Sequence, residues 1–190
     1  MYIARQKRKE NIAEYILYLW QLEDLLRALQ FSPEAIYSQL VAKQERPDEE
    51  KQAIFFWYMD LVNLLRTEGK EEHGHLDHTL HLAKDLNELH ESLLKIPAGE
   101  TYRAVFLPLS AELPRLKEKL EKPGLSDVEF MLRALYSVVL YRLRGDESHK
   151  GYVEDVLTLI SPAIAQLARV YREVEEGRID LYGAEKKKSL

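Results

Sequence analysis

The densest set of side chains able to do chemistry lies between residues 73 and 90: His73, His75, His78 and His81, with Asp77, Asp85 and His90 close by. Imidazoles three or four residues apart stand on adjacent turns of a helix and can share a metal ion. A helical wheel of about 100° per residue tests that option. Leu76, Leu80, Ala83, Leu86, Leu89, Leu93 and Leu94 form one apolar face, with His90 near its middle and His75 toward its edge. His78, His81 and Asp85 fall on the flank and the far side. The imidazoles therefore do not converge on one interior point. His78, His81 and Asp85 are left as a weak surface metal combination, and a solvated polar face is the favoured reading. His90 is expected to be a hydrogen-bonded core histidine. Glu72 and His75 have the spacing used by di-iron bundles, but the second such pair is Asn87 and His90, where an amide replaces the required carboxylate.

Charged groups on apolar stripes are the second candidate. Glu23 shares its sector with Ile12, Ile16, Leu19 and Leu26, and Arg27 follows one turn later. Arg5 projects to the same sector if the helix starts early. A carboxylate facing a core must be paired, protonated or near water. Arg142 shares a face with Met131, Leu135, Val138 and Val139. The expectation is an interior network of Glu23, Arg27 and Arg142. Its favoured role is to set helix register, and its alternative is to line a ligand pocket.

A third candidate is a surface. Ile54, Trp57, Tyr58, Leu61, Leu64 and Leu65 make one apolar face of their helix, while Phe55, Phe56 and Met59 lie elsewhere, beside Asp60 and Asn63. A helix with two apolar sides is buried twice. Phe55, Phe56, Met59 and Asn63 are thus a candidate interface, covered by another helix of this chain or by a partner subunit. Aromatic residues and methionine are favoured in interface cores. Arg5, Lys7, Arg8 and Lys9, with Lys186, Lys187 and Lys188 at the other end, would form an RNA-binding patch only if the two ends met. Solvated termini are the favoured reading there.

Several chemistries are excluded. With no cysteine there is no thiolate metal site, disulfide or cysteine nucleophile. No phosphate loop, dinucleotide fingerprint or nucleophile elbow occurs. No cofactor is expected. A net charge of −5 argues against general affinity for nucleic acid. The basic first residues are not followed by an uninterrupted apolar run, so no secretory signal is expected. The longest strongly apolar stretch, residues 53–59, is far too short to span a bilayer. The expected location is the cytoplasm, with no membrane partner.

These groups need a scaffold, and the sequence describes it. Eight glycines and seven prolines in 190 residues, among abundant Leu, Glu, Lys and Ala, favour helix. The spacing predicts helices over about 3–29, 33–43, 48–68 and 74–95. The helix over 100–122 should be kinked or interrupted, since it holds Pro108 and Pro114. Further helices are predicted over 127–144 and 149–176, the last bending at Pro162. Ser32-Pro33 and the Ser126-to-Glu129 capping box mark starts, and Gly69, Gly145 and Gly177 mark stops. The predicted fold is an all-α antiparallel helical bundle of six or seven helices, one domain over 1–177 with a basic tail over 178–190.

The opening Asn11-Ile12-Ala13-Glu14-Tyr15-Ile16-Leu17-Tyr18, then Trp20 through Ala28, resembles the start of the domain-of-unknown-function family 4924. Residues 134–143 and Ile160-Ser161 are similar too. The resemblance would cover nearly the whole chain. It implies a bacterial protein, mainly of Bacteroides-type bacteria, with an all-helical fold, and it transfers no activity or functional residue. The leading expectation is a non-enzymatic cytoplasmic interaction protein whose partner is a second copy of itself, as a homodimer, or another protein. The alternatives are a metal- or ligand-binding bundle and an RNA- or ribosome-associated factor.

Overall fold

The computed structural model describes residues 2–119, 122–145, 148 and 150–181. Helices α1 (Tyr2–Glu10), α2 (Ile12–Ala28), α3 (Pro33–Ile36), α4 (Asp48–Thr67) and α5 (Asp77–Lys95) are followed by α6 (Glu100–Ser110), α7 (Leu113–Lys119), α8 (Asp127–Arg144), α9 (Lys150–Asp155) and α10 (Ser161–Glu175). No strand occurs among the described residues, so the protein is an all-α helical bundle. No described helix is long and apolar enough to cross a membrane.

Local chemistry explains most boundaries. Ser32 caps α3 by accepting from the Ala35 N–H, with Pro33 in the first turn. Ser126 caps α8 by accepting from the Glu129 N–H at 3.2 Å. Gly145 ends that helix at φ 64°, a left-handed conformation that a side chain would strain.

Other predicted elements differ. The first helix is interrupted at Asn11, whose side-chain oxygen accepts from the Ala13 N–H at 3.1 Å and starts α2 afresh. The break after α6 falls at residues 111–112 and not at Pro108. Pro114 sits in the first turn of α7, where its missing N–H costs nothing. Ahead of Pro162 the helix widens into a π-turn at Val156–Ile160. The helix predicted from residue 74 begins at Asp77, which leaves His75 in the preceding loop.

The sequence reads as one domain over 1–177. The described residues divide into two compact units, one from residues 2–8 and 14–81 and the other from residues 9–13 and those described between 82 and 181. In the first unit α2, α3 and α4 bury Leu19, Leu22, Leu26, Ile36, Tyr58, Leu61, Val62 and Leu65 around Leu76. Each such side chain contributes roughly 1.5–3 kcal/mol on leaving water. In the second unit α6, α8 and α10 pack together and bury Tyr102, Phe106, Leu109, Met131, Ile164 and Leu167.

Candidate functional site

Glu23 is the buried charge of the first unit, 1% exposed on α2. Its partner is His75, which its wheel position set toward the edge of an apolar face. The His75 Nδ1–H donates to Glu23 Oε2 at 2.8 Å, and the Leu76 N–H donates to Oε1 at 3.3 Å. Both carboxylate oxygens are thus served by consecutive residues of the loop that follows α4. The Trp20 indole, one turn before Glu23, stacks on the His75 ring at 4.0 Å and 12°. Its Nε1–H donates to Thr79 Oγ1 at 3.0 Å, and that hydroxyl donates to the Leu76 carbonyl at 2.7 Å. Trp20, Glu23 and Arg27 recur at helical spacing, so one side of α2 carries the whole set.

Arg27 does not meet Glu23. It pairs with Asp24 at 2.7 Å and donates to the carbonyls of Lys70 and Gly74, which ties the same loop to α2. Arg142 is exposed near the end of α8 and belongs to no buried network. A position on an apolar stripe decides only the side of the helix, and at a helix end a long side chain reaches water. Arg5 is likewise exposed and does not join Glu23. The expected Glu23–Arg27–Arg142 network is therefore replaced by a Trp20–Glu23–His75–Thr79 network with Arg27 beside it. With both oxygens of Glu23 engaged and an aromatic ring filling the space above, this arrangement is a clasp between helix and loop.

The histidines after His75 separate. His78 is half-buried, 6.5 Å from Tyr15, and burial pulls its pKa below the ordinary value against the opposing charges of Glu23 and Glu68. His81 and Asp85 are exposed. Among the described residues no group of three or more His, Cys, Asp or Glu side chains is placed to hold a metal ion.

The second unit holds a relay. His90, 2% exposed, accepts at Nδ1 from the Tyr102 hydroxyl at 2.6 Å and faces Asp127 Oδ2 through Nε2 at 3.5 Å. Lys117 donates to Asp127 Oδ1 at 2.6 Å and to the Leu125 carbonyl at 2.7 Å. Burial, and then the charge of Asp127, push the Tyr102 hydroxyl well above its usual pKa and keep it a donor. Hydrogen bonding to His90, reinforced by Lys117, lowers Asp127 to about 2. Asp127 and Lys117 open onto a cleft of about 410 Å³ walled by Phe106, Leu113, Pro114 and Pro123. His90 is thus the hydrogen-bonded core histidine that its wheel position suggested. Tyr102, Lys117 and Asp127 carried no signal of their own, because their meeting depends on how α5, α6, α7 and α8 pack.

The α4 surface is the remaining candidate. Phe55 and Met59 are half-buried, Asn63 is exposed and Phe56 is 63% exposed. Tyr37 stands edge-on to Phe55 at 5.6 Å, and with Pro33 and Phe56 they line an open groove of about 510 Å³. Leu64, placed in the buried face by its spacing, is 42% exposed, and Val62 takes the buried position. Of the basic N-terminal residues, Lys7 is bound to Glu14 at 3.1 Å, while Arg5 and Lys9 are exposed. Lys186, Lys187 and Lys188 lie outside the described residues.

The model of the family described as "Domain of unknown function (DUF4924)" matches residues 1–178, and the chain belongs to that family. No curated protein matches the chain. No solved structure matches it either.

Proposed function

We propose that this member of the DUF4924 family is a non-enzymatic interaction protein that binds a second copy of itself through the outward side of α4. The observation that carries the proposal is Phe56, 63% exposed on a 20-residue helix whose opposite side is already buried. Around it lie Met59, Asn63 and Thr67, with Asp60 and Arg66 as a balanced pair of charges. An aromatic in water beside half-buried Phe55 and Met59 is the composition of an interface centre. From Phe56 to Thr67 the stripe is neutral on a chain of net charge −5, while Glu49 stands on the same side two turns nearer the N-terminus. Two copies of an acidic chain repel unless the surfaces that meet are neutral, so neutrality favours self-association over a strongly charged partner.

The buried polar groups support a non-catalytic reading. His75 and His90 are enclosed and bonded to groups of their own chain, which leaves them no room to reach a substrate. A cytoplasmic, bacterial setting belongs to the same proposal and rests on the cysteine-free composition and the family resemblance.

Sedimentation equilibrium over a concentration series tests the proposal. The wild-type chain is expected to dimerise, and Phe56→Glu to weaken the dimer at least about tenfold by forcing a carboxylate into the contact. A wild-type chain that stays monomeric overturns the proposal, as does a dimer indifferent to Phe56→Glu.

A further inference from the structure

The cleft beside the His90 relay offers more hydrogen-bond acceptors than donors. It is lined by Ser110 of α6, Lys117 and Glu118 of α7 and Asp127 of α8, with Phe106 and Pro123 among its apolar walls. Lys117 has three N–H groups, of which two donate to Asp127 Oδ1 and the Leu125 carbonyl. Ser110 donates its one proton to the Leu107 carbonyl at 2.8 Å and keeps its lone pairs. A carboxylate oxygen can accept two bonds, and those of Asp127 face one neighbour each, Lys117 and His90. Glu118 is exposed and makes no hydrogen bond or ion pair among the described residues. One N–H therefore stands against open acceptors on three residues. Two carboxylates and one ammonium also leave this lining with a single negative charge.

We infer that this cleft binds a small organic cation, a primary ammonium ion with an apolar body, its head bonded to Asp127 and balanced by the charge of Glu118. A primary ammonium brings three donors and one positive charge, which is what the lining lacks. An anion would find one free N–H and two carboxylates beside it, so the same groups select against it. The body has Phe106 and Pro123 to lie against. The cleft, at about 410 Å³, falls within the range of roughly 300–1,000 Å³ usual for ligand sites. Asp127 is also a prepared acceptor. His90 Nε2 faces its Oδ2 at 3.5 Å, and His90 is in turn bonded to Tyr102 at 2.6 Å, with both rings enclosed. A carboxylate fixed from behind loses little freedom on taking a ligand. Its pKa of about 2 keeps it charged at neutral pH.

Titration of the full chain with phenylethylammonium, followed by the backbone amide resonances in NMR spectra, tests the site. Saturable shifts are expected at Lys117, Glu118 and Asp127, with a Kd of about 1 mM for a ligand this small. Phenylpropionate carries the same ring on a carboxylate and should bind at least about tenfold more weakly. Ethylammonium carries the head without the ring and should also lose at least about tenfold. Asp127→Asn should weaken phenylethylammonium at least about tenfold, and the amide spectrum of that variant reports whether its fold is kept. Glu118→Lys changes an exposed side chain that supports no contact, and it should weaken binding about tenfold by reversing the charge of the lining.

Shifts that fail to saturate by about 10 mM, or that fall outside the cleft, overturn the site. Equal binding of phenylethylammonium and phenylpropionate overturns the selection for a cation. A Kd unchanged in Glu118→Lys, or in a folded Asp127→Asn, overturns the role of the carboxylates.

Discussion

Replacing His75 with Ala isolates the buried charge of the first unit. In the wild-type chain Glu23 is served at 2.8 Å by the imidazole and at 3.3 Å by the Leu76 N–H, and it is 1% exposed. Without the ring the carboxylate keeps only the longer bond, and Trp20 loses the partner stacked at 4.0 Å. Breaking a buried pair by removing one member costs about 3–5 kcal/mol, because the remaining charge has neither water nor a counter-charge. The Leu76 N–H still serves the other carboxylate oxygen, which places the expected loss near the lower end, about 3 kcal/mol. For a chain of this size each kcal/mol lowers Tm by about 2–4 °C, so a fall of about 6–12 °C is expected. Glu23→Gln in the same background removes the stranded charge, and the double variant should recover about 1–2 kcal/mol relative to His75→Ala. Both tryptophans, Trp20 and Trp57, lie in the first unit, so intrinsic fluorescence in a urea titration follows that unit. Far-UV circular dichroism gives the Tm. A His75→Ala loss below about 0.5 kcal/mol would refute the clasp, as would a double variant whose losses simply add.

Two further predictions concern stability. Asp127 titrates at about 2 when folded against an ordinary value of 3.8, so protonation favours the unfolded chain. Its contribution is complete above about pH 4 and is lost as pH falls toward 2, and because its side chain is 38% exposed it is screened to about 1 kcal/mol. Asp127→Asn should flatten the urea-unfolding free energy across that window, and a wild-type profile already flat there would contradict the His90–Asp127–Lys117 arrangement. Gln30 adopts a left-handed φ of 55° after α2, where an L side chain is strained and glycine is not. Gln30→Gly should therefore raise stability by about 0.5–1 kcal/mol in the same titration, and a decrease would show that the turn carries no strain to release.

How far each part could be read depends on its range along the chain. Helix starts at Ser32 and Ser126 and the stop at Gly145 were legible because a cap is settled by neighbours within four residues. The burial of Glu23 was legible from the stripe it shares with Ile16, Leu19 and Leu26. Its partner was not, because His75 lies 52 residues away in a loop, where no periodicity marks which side chains turn inward. The same limit hid Tyr102 and Lys117 as the surroundings of His90.

Arg142 and Leu64 show the opposite error. Each lies on a face made of apolar neighbours, and both are exposed, because a stripe is buried only where another element covers it. Helix propensity, scarce breakers and apolar spacing by themselves determined an all-α chain, the approximate extent of its helices and the anomaly of a carboxylate on an apolar stripe. These are local properties, set by residues one to four apart. Packing alone decided that an imidazole from the following loop pairs with Glu23, that Tyr102, His90, Asp127 and Lys117 form a relay, and that Phe56 faces outward. Contacts between distant segments depend on which surfaces the folded chain brings together, and no neighbour along the sequence encodes them.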